Sequence, residues 1–197
     1  MSIWFSMAIF SFTMSISPGP VNLVALTSGL NHGFVNSLKF VFGATLGFIV
    51  LLFVIGFGLG AANEAFPSII KVLTYVGCTY LGYVGIKIYM DRGEIGEEVE
   101  SALPQPSFQQ GWLLQWLNPK AWIACLAGCS AFNVYTSNAR LFQFLLIYFV
   151  LCFIGIACWA FAGRKIQTWL QSPTSVRVFN KMMGLVLCLL AIVLVMS

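Results

Sequence analysis

Residues 15–20 read SISPGP, and they lie in the middle of the apolar stretch MSIWFSMAIFSFTMSISPGPVNLVAL, residues 1–26. Pro18 and Pro20 each lack a backbone N–H, and each ring clashes with the turn before it. Carbonyls near Met14 and Ile16 are therefore predicted to lose their helical donors. In hydrocarbon an unpaired backbone group is costly, so a broken helix persists only against protein or a wet cavity. The stretch is expected to form two half-helices, about 3–16 and 20–30, with Pro20 in the first turn of the second.

Composition decides that hydrocarbon is the relevant solvent. The 197 residues are 59% hydrophobic and 8% charged, with mean hydropathy +0.91, whereas a soluble domain carries roughly 25% charged residues. Crossing ~30 Å of hydrocarbon takes ~20 apolar residues in a helix. Six stretches suffice: about 3–28, 38–61, 66–89, 110–132, 141–163 and 178–196. The expected fold is an all-α integral membrane protein, one membrane domain over 1–197. Its ten basic residues form no patch or stripe, which argues against nucleic acid. The opening MSIWFSMAIF has no basic n-region and no cleavage site follows, so the first stretch reads as a permanent span. The cysteines at 78, 125, 129, 152, 158 and 188 all lie in apolar segments without a Cys-x-x-Cys pair, and read as packing residues.

Residues 91–109, DRGEIGEEVESALPQPSFQ, hold five of the six acids, with Pro104 and Pro106 behind them. They read as a solvated linker between a first half, 1–90, and a second, 110–197. Lys39, Lys87, Arg92, Arg164, Lys165, Arg177 and Lys181 gather near the linker side, against Lys71 and Arg140 on the other. The positive-inside bias puts the linker in the cytoplasm and both termini in the periplasm. TSGLNHGFVNSLK, residues 27–39, reads as a helix end and turn at the membrane surface. Glycines 43, 47, 56, 58 and 60 in the second span, and 77, 82 and 85 in the third, suit close backbone packing, within the chain or in a homodimer.

The fourth span repeats the device of the first. In QWLNPKAWIACL, residues 115–126, Pro119 is expected to free the Gln115 carbonyl, with Asn118 able to bond the loosened backbone. Lys120 is the one charge well inside any span, and charges at depth usually face a cavity or a partner. Three spans per half make the halves inverted relative to each other. Paired interruptions at matching positions of inverted halves point to a transporter's central site. A half-helix starting near Val21 aims its free N–H groups at the midplane, where a carboxylate would sit beside Lys120. Freed carbonyls, with Asn22, Asn118 and Ser17, suit an ammonium group. A small zwitterion such as an amino acid matches both.

SPGPVNL at 17–23, LNHGF at 30–34 and NPKAW at 118–122 resemble the LysE/RhtB family of bacterial amino-acid exporters, and the resemblance covers nearly the whole chain. It implies an inner-membrane efflux carrier without a cofactor, driven by proton entry. Its members export substrates such as lysine, homoserine, threonine, cysteine, O-acetylserine or leucine. The family's motif positions fall here on Pro18, Gly19, Pro20, Asn22, Asn118, Pro119 and Lys120. Many members carry Asn or Asp directly after Pro-Gly-Pro, where this chain has Val21. No carboxylate lies in a span, since Glu64 sits in a loop, so a coupled proton would ride on Lys120, the substrate or His32.

A membrane thiol oxidoreductase is the alternative from an enzyme class. It would need cysteines at both breaks, and the first span has none. Metal export would want His, Asp or Glu inside the spans, and the sequence places none there.

Overall fold

The computed structural model describes residues 2–58, 66–90, 105–170 and 172–196. Gly60, Glu64, Arg92, Pro104 and the acidic run from Asp91 to Glu100 lie outside the described residues, as does the side chain of Lys71. The fold is all-α. The chain forms α1 (Ile3–Ile16), α2 (Pro20–His32), α3 (Phe34–Gly58), α4 (Phe66–Met90), α5 (Phe108–Trp116), α6 (Pro119–Ala131), α7 (Asn138–Trp169) and α8 (Pro173–Met196), with a 3-10 turn at Val134–Thr136.

Both proline interruptions are real breaks. α1 and α2 are bent by 61° across Ser17-Pro18-Gly19. α5 stops at Trp116 and α6 begins at Pro119, with Pro in the first turn as in α2. α5 starts at Phe108, inside the stretch expected to be linker. The reason is a capping box, in which Ser107 Oγ accepts from the Gln110 amide and Gln110 Oε1 accepts from the Ser107 amide. Between α2 and α3 the chain reverses on Gly33 alone, whose φ of 80° is a left-handed conformation that favours glycine.

Three helices, Phe34–Gly58, Asn138–Thr168 and Pro173–Val193, are long and apolar enough to cross a membrane alone. The bent pair α1–α2 makes a fourth. Six were expected. Among the described residues the pair α5–α6 falls short of that standard, diluted by Gln109, Gln110, Gln115, Asn118 and Lys120, while part of α4 lies outside the residues whose side chains are described.

Glycines set how the helices pair. α4 packs chiefly on α8, α2 on α7, α3 on α5 and α7, and α1 on α7. Three of these pairs use glycines reciprocally. A Cβ on Gly29 would lie 1.9 Å from the Ala160 carbonyl oxygen, and one on Gly163 2.0 Å from that of Leu26. Gly43 and Gly111 stand in the same relation to Phe108 and Phe40, at 2.0 and 2.3 Å. Gly85 and Gly184 face each other's carbonyls at 2.9 and 2.5 Å. Lipid gives helices no hydrophobic drive to associate, so such backbone approach supplies the packing. Gly58 and Gly82 take no part, since a Cβ added at either would meet nothing within 4 Å among the described residues.

The core lies where α1, α3, α6 and α7 meet. Tyr148, Phe144, Phe40 and Met7 are fully buried there, with Tyr148 stacked on Phe48 at 4.3 Å and edge-on to Phe144 at 5.4 Å. Large apolar side chains point outward from the long helices, among them Phe57, Leu146, Ile192 and Val193. Outward-facing apolar residues of this kind suit lipid contact.

Candidate substrate site

The two breaks meet, and every carbonyl loosened at the first one is taken by a side chain. Met14 O accepts from Ser17 Oγ at 3.0 Å. Ser15 O and Ser17 O each accept from Asn22 Nδ2 at 2.8 Å. Ile16 O accepts from Trp159 Nε1 of α7 at 2.9 Å. Lys120 completes the set: its Nζ donates to Ser17 O and Ser17 Oγ, both at 2.7 Å, and to Pro18 O at 3.2 Å. The bonds to Met14 O and Ile16 O substitute for the helical donors that Pro18 and Pro20 lack, and those to Ser15 O, Ser17 O and Pro18 O for donors that the break carries out of reach.

These contacts change the role expected of the carbonyls. The sequence suggests bare oxygens free to hold a substrate ammonium. In the structure the chain's own ammonium, from the opposite break, occupies Ser17 O and Pro18 O, because Lys120 sits at the second position of α6 with its side chain laid over Gly19. A Cβ at Gly19 would be 3.2 Å from both Lys120 Cδ and Nζ, so the missing side chain leaves room for the lysine.

The second break is closed more locally. The Gln115 carbonyl, expected to be free, accepts from the Asn118 amide at 3.2 Å. Asn118 Oδ1 accepts from the Lys120 amide at 3.1 Å and so caps α6, while its Nδ2 donates to Gln115 Oε1 at 3.4 Å. Trp122 Nε1 donates to Trp116 O at 2.8 Å. α2, by contrast, has no side-chain cap at Gly19, which leaves the Val21 and Asn22 end of the helix with its positive dipole uncapped.

Ser15, Gly19, Val21, Asn22, Gln115, Asn118, Lys120 and Tyr148 border a cavity of about 40 Å³. That is room for about three waters. The Ser15 hydroxyl is buried on its wall beside Tyr148 and Cys152, and makes no hydrogen bond of normal geometry among the described residues. Ser15 was not among the residues singled out in the sequence. Pro20 and Pro119 lie one layer away, on either side of a smaller gap of about 10 Å³ against Gly77, Leu81 and Leu114. Of the sequence-chosen residues, Gly19, Asn22, Asn118 and Lys120 border the main cavity, Pro20 and Pro119 the smaller one, and Ser17 and Pro18 supply the oxygens that Lys120 binds. Pro18 itself is exposed.

All six cysteines are free thiols, with Cys125, Cys129 and Cys152 buried in the core. No cluster of three or more His, Cys, Asp or Glu able to hold a metal occurs among the described residues.

An all-α, lipid-compatible bundle whose two broken helices meet at a buried polar cavity defines the class of membrane translocators. The chain belongs to the LysE type translocator family, which it matches over residues 12–197. It is 28% identical over 194 residues to a cysteine/O-acetylserine efflux protein of Salmonella choleraesuis, covering 94% of this chain and 92% of that one. It is 28% identical over 193 residues to a cysteine/O-acetylserine efflux protein of Escherichia coli, at 94% and 92% coverage. A homoserine/homoserine lactone efflux protein of Salmonella typhimurium is 23% identical over 186 residues, at 92% and 90% coverage. No solved structure matches the chain.

Proposed function

We propose that this protein is a secondary active exporter of small amino acids or their derivatives across the bacterial inner membrane, working by alternating access around the two breaks and coupled to proton entry. The observation that carries the reading is the Lys120 ammonium of one broken helix held on the Ser17 and Pro18 oxygens of the other. The efflux function of the relatives supports it.

The architecture in this reading has six spans in two inverted repeats, 1–90 and 110–197, joined by a cytoplasmic linker at 91–109, with both termini periplasmic. Most of the helix pairings support it, α2–α3 and α4–α5 being exceptions. Exchanging α1 for α5, α2 for α6, α3 for α7 and α4 for α8 turns the α1–α7 contact into α5–α3, α2–α7 into α6–α3, and α2–α8 into α6–α4. All of these contacts occur, and α4–α8 and α3–α7 map onto themselves.

Transport then turns on an exchange of partners. A zwitterion entering the cavity presents an ammonium that competes with Lys120 for the Ser17 and Pro18 oxygens. The released Lys120, with the uncapped start of α2, takes the carboxylate. Asn22, Asn118 and Ser15 supply polar contacts beside it. The cavity of about 40 Å³ has to widen for this, so binding and conformational change are one event. Among the described residues no Asp or Glu borders the cavity, and the sequence has none inside a span, which favours a neutral amino acid over a cationic one and leaves Lys120 or the substrate to carry the coupled proton.

The test is efflux from proteoliposomes holding the purified protein, loaded in turn with O-acetylserine, cysteine, homoserine, threonine, leucine and lysine, with and without a proton gradient. Gradient-dependent efflux of at least one neutral member is expected. Folded protein that moves none of them removes the proposal.

A further inference from the structure

We propose that the larger cavity between α2, α4 and α5 is a second binding site for the same solute, a vestibule that loads small neutral amino acids from the linker side before they reach the breaks. The inference rests on the carrier reading above.

The cavity measures about 170 Å³, roughly four times the space at the breaks. Its walls follow helical periodicity, so each helix turns one face to it. α4 contributes Tyr80, Tyr83, Val84 and Lys87, at intervals of three and four. α2 contributes Thr27, Ser28 and Asn31 in the same rhythm, and α5 contributes Gln110 and Leu114.

Its groups match an amino acid. Lys87 Nζ lies over the Tyr83 ring, 4.9 Å from its centre. Its ammonium can pair with a carboxylate. The rings of Tyr80 and Tyr83 stand 6.3 Å apart beside it, and their faces and hydroxyl oxygens suit an ammonium group. Val84 and Leu114 offer an apolar wall to a short side chain.

The vestibule leads to the breaks. Leu114 borders both it and the small gap between Pro20 and Pro119, and Asn118 borders both that gap and the Lys120 cavity. Val24, Leu81 and Leu114 are all buried at this junction. They form an apolar constriction between two polar chambers, where a gate belongs. Lys87 carries a clear marker in the sequence, yet there it reads only as a positive-inside residue.

Equilibrium dialysis of radiolabelled O-acetyl-L-serine and L-homoserine against the full chain in phosphatidylcholine nanodiscs tests the site. Wild-type protein should bind two molecules of at least one probe. Lys87→Gln and Lys120→Met should each bind one, the double variant none, and Lys87→Arg should restore the second. In efflux, Lys87→Gln should raise KM about tenfold, the loss of one charge-assisted bond, with little change in kcat. If Lys87→Gln keeps both sites while Lys120→Met loses one, the vestibule is overturned and the carrier reading stands. If Lys87→Gln loses a site and Lys120→Met does not, the vestibule stands and the break site falls. A Lys87 site displaced by phosphatidylglycerol and by neither amino acid assigns the cavity to a lipid headgroup, which overturns the proposal. So does a wild-type chain that binds neither probe.

Discussion

Lys120 Nζ lies 2.7 Å from both the carbonyl oxygen and the hydroxyl of Ser17, a residue 103 positions earlier in the chain. This contact ties the second broken helix to the first at the point where each has lost its ladder. A charge at membrane depth is expensive unless it is paired or bonded, and here three oxygens share it. The lysine is therefore the strap that holds this conformation and, in the proposed transport cycle, the group a substrate must displace.

Asn22 is the second strap. Its amide serves Ser15 O and Ser17 O together, and leaving a buried carbonyl unbonded costs about 1–3 kcal/mol. Asn22→Ala should lower the thermal midpoint in detergent by several degrees. Asn22→Asp should lower it further, because a carboxylate would face two carbonyl oxygens. An unchanged midpoint for the aspartate variant would count against the arrangement.

Two glycines should respond differently to the same methyl group. At Gly19 the new Cβ meets the flexible end of Lys120 at 3.2 Å, whereas at Gly77 it meets the Leu117 carbonyl oxygen at 1.7 Å. Gly19→Ala should fold and insert normally but export more slowly, since Lys120 is pushed off its oxygens. Gly77→Ala should reduce folded protein, because α4 must move away from the second break. Comparing folded yield with efflux for both variants checks this, and a fully folded Gly77→Ala would show the approach to be less tight.

Trp159 anchors the first break from α7 by a single bond to Ile16 O. Trp159→Phe keeps most of the ring and removes the donor. The expected loss is about 1–3 kcal/mol, or a fall in midpoint of roughly 2–4 °C for each kcal/mol in a chain of this size. Calorimetry on the purified variant would show no shift if water replaced the indole.

Replacing all six cysteines by alanine or serine should leave efflux intact. They are free thiols packed mainly in the core, and the first break has none. Loss of efflux in a variant that still folds would revive the thiol-exchange reading.

The breaks were legible because proline acts locally: SISPGP and NPK announce them without knowledge of the fold. The half-helix 3–16 ends where the prolines require. Helix ends set by polar residues were less visible. α7 runs from Asn138 to Trp169, beyond the apolar stretch 141–163, because Asn138, Arg140 and Arg164 continue a helix that hydropathy alone truncates. What satisfies the broken ladder was illegible for another reason. Trp159 and Lys120 reach residues over a hundred positions away, and nothing near them in sequence names the partner. The proposed vestibule was hidden in the same manner, since Tyr80, Tyr83 and Lys87 line one cavity only once α2 and α5 stand opposite.

The most direct measurement is the initial rate of O-acetylserine and homoserine efflux from proteoliposomes carrying equal amounts of inserted wild-type or Lys120→Met protein. The account predicts export by the wild type and a rate at least about tenfold lower for the variant, as expected when a charge-assisted bond to the solute is lost. Export at the wild-type rate without the ammonium would contradict it.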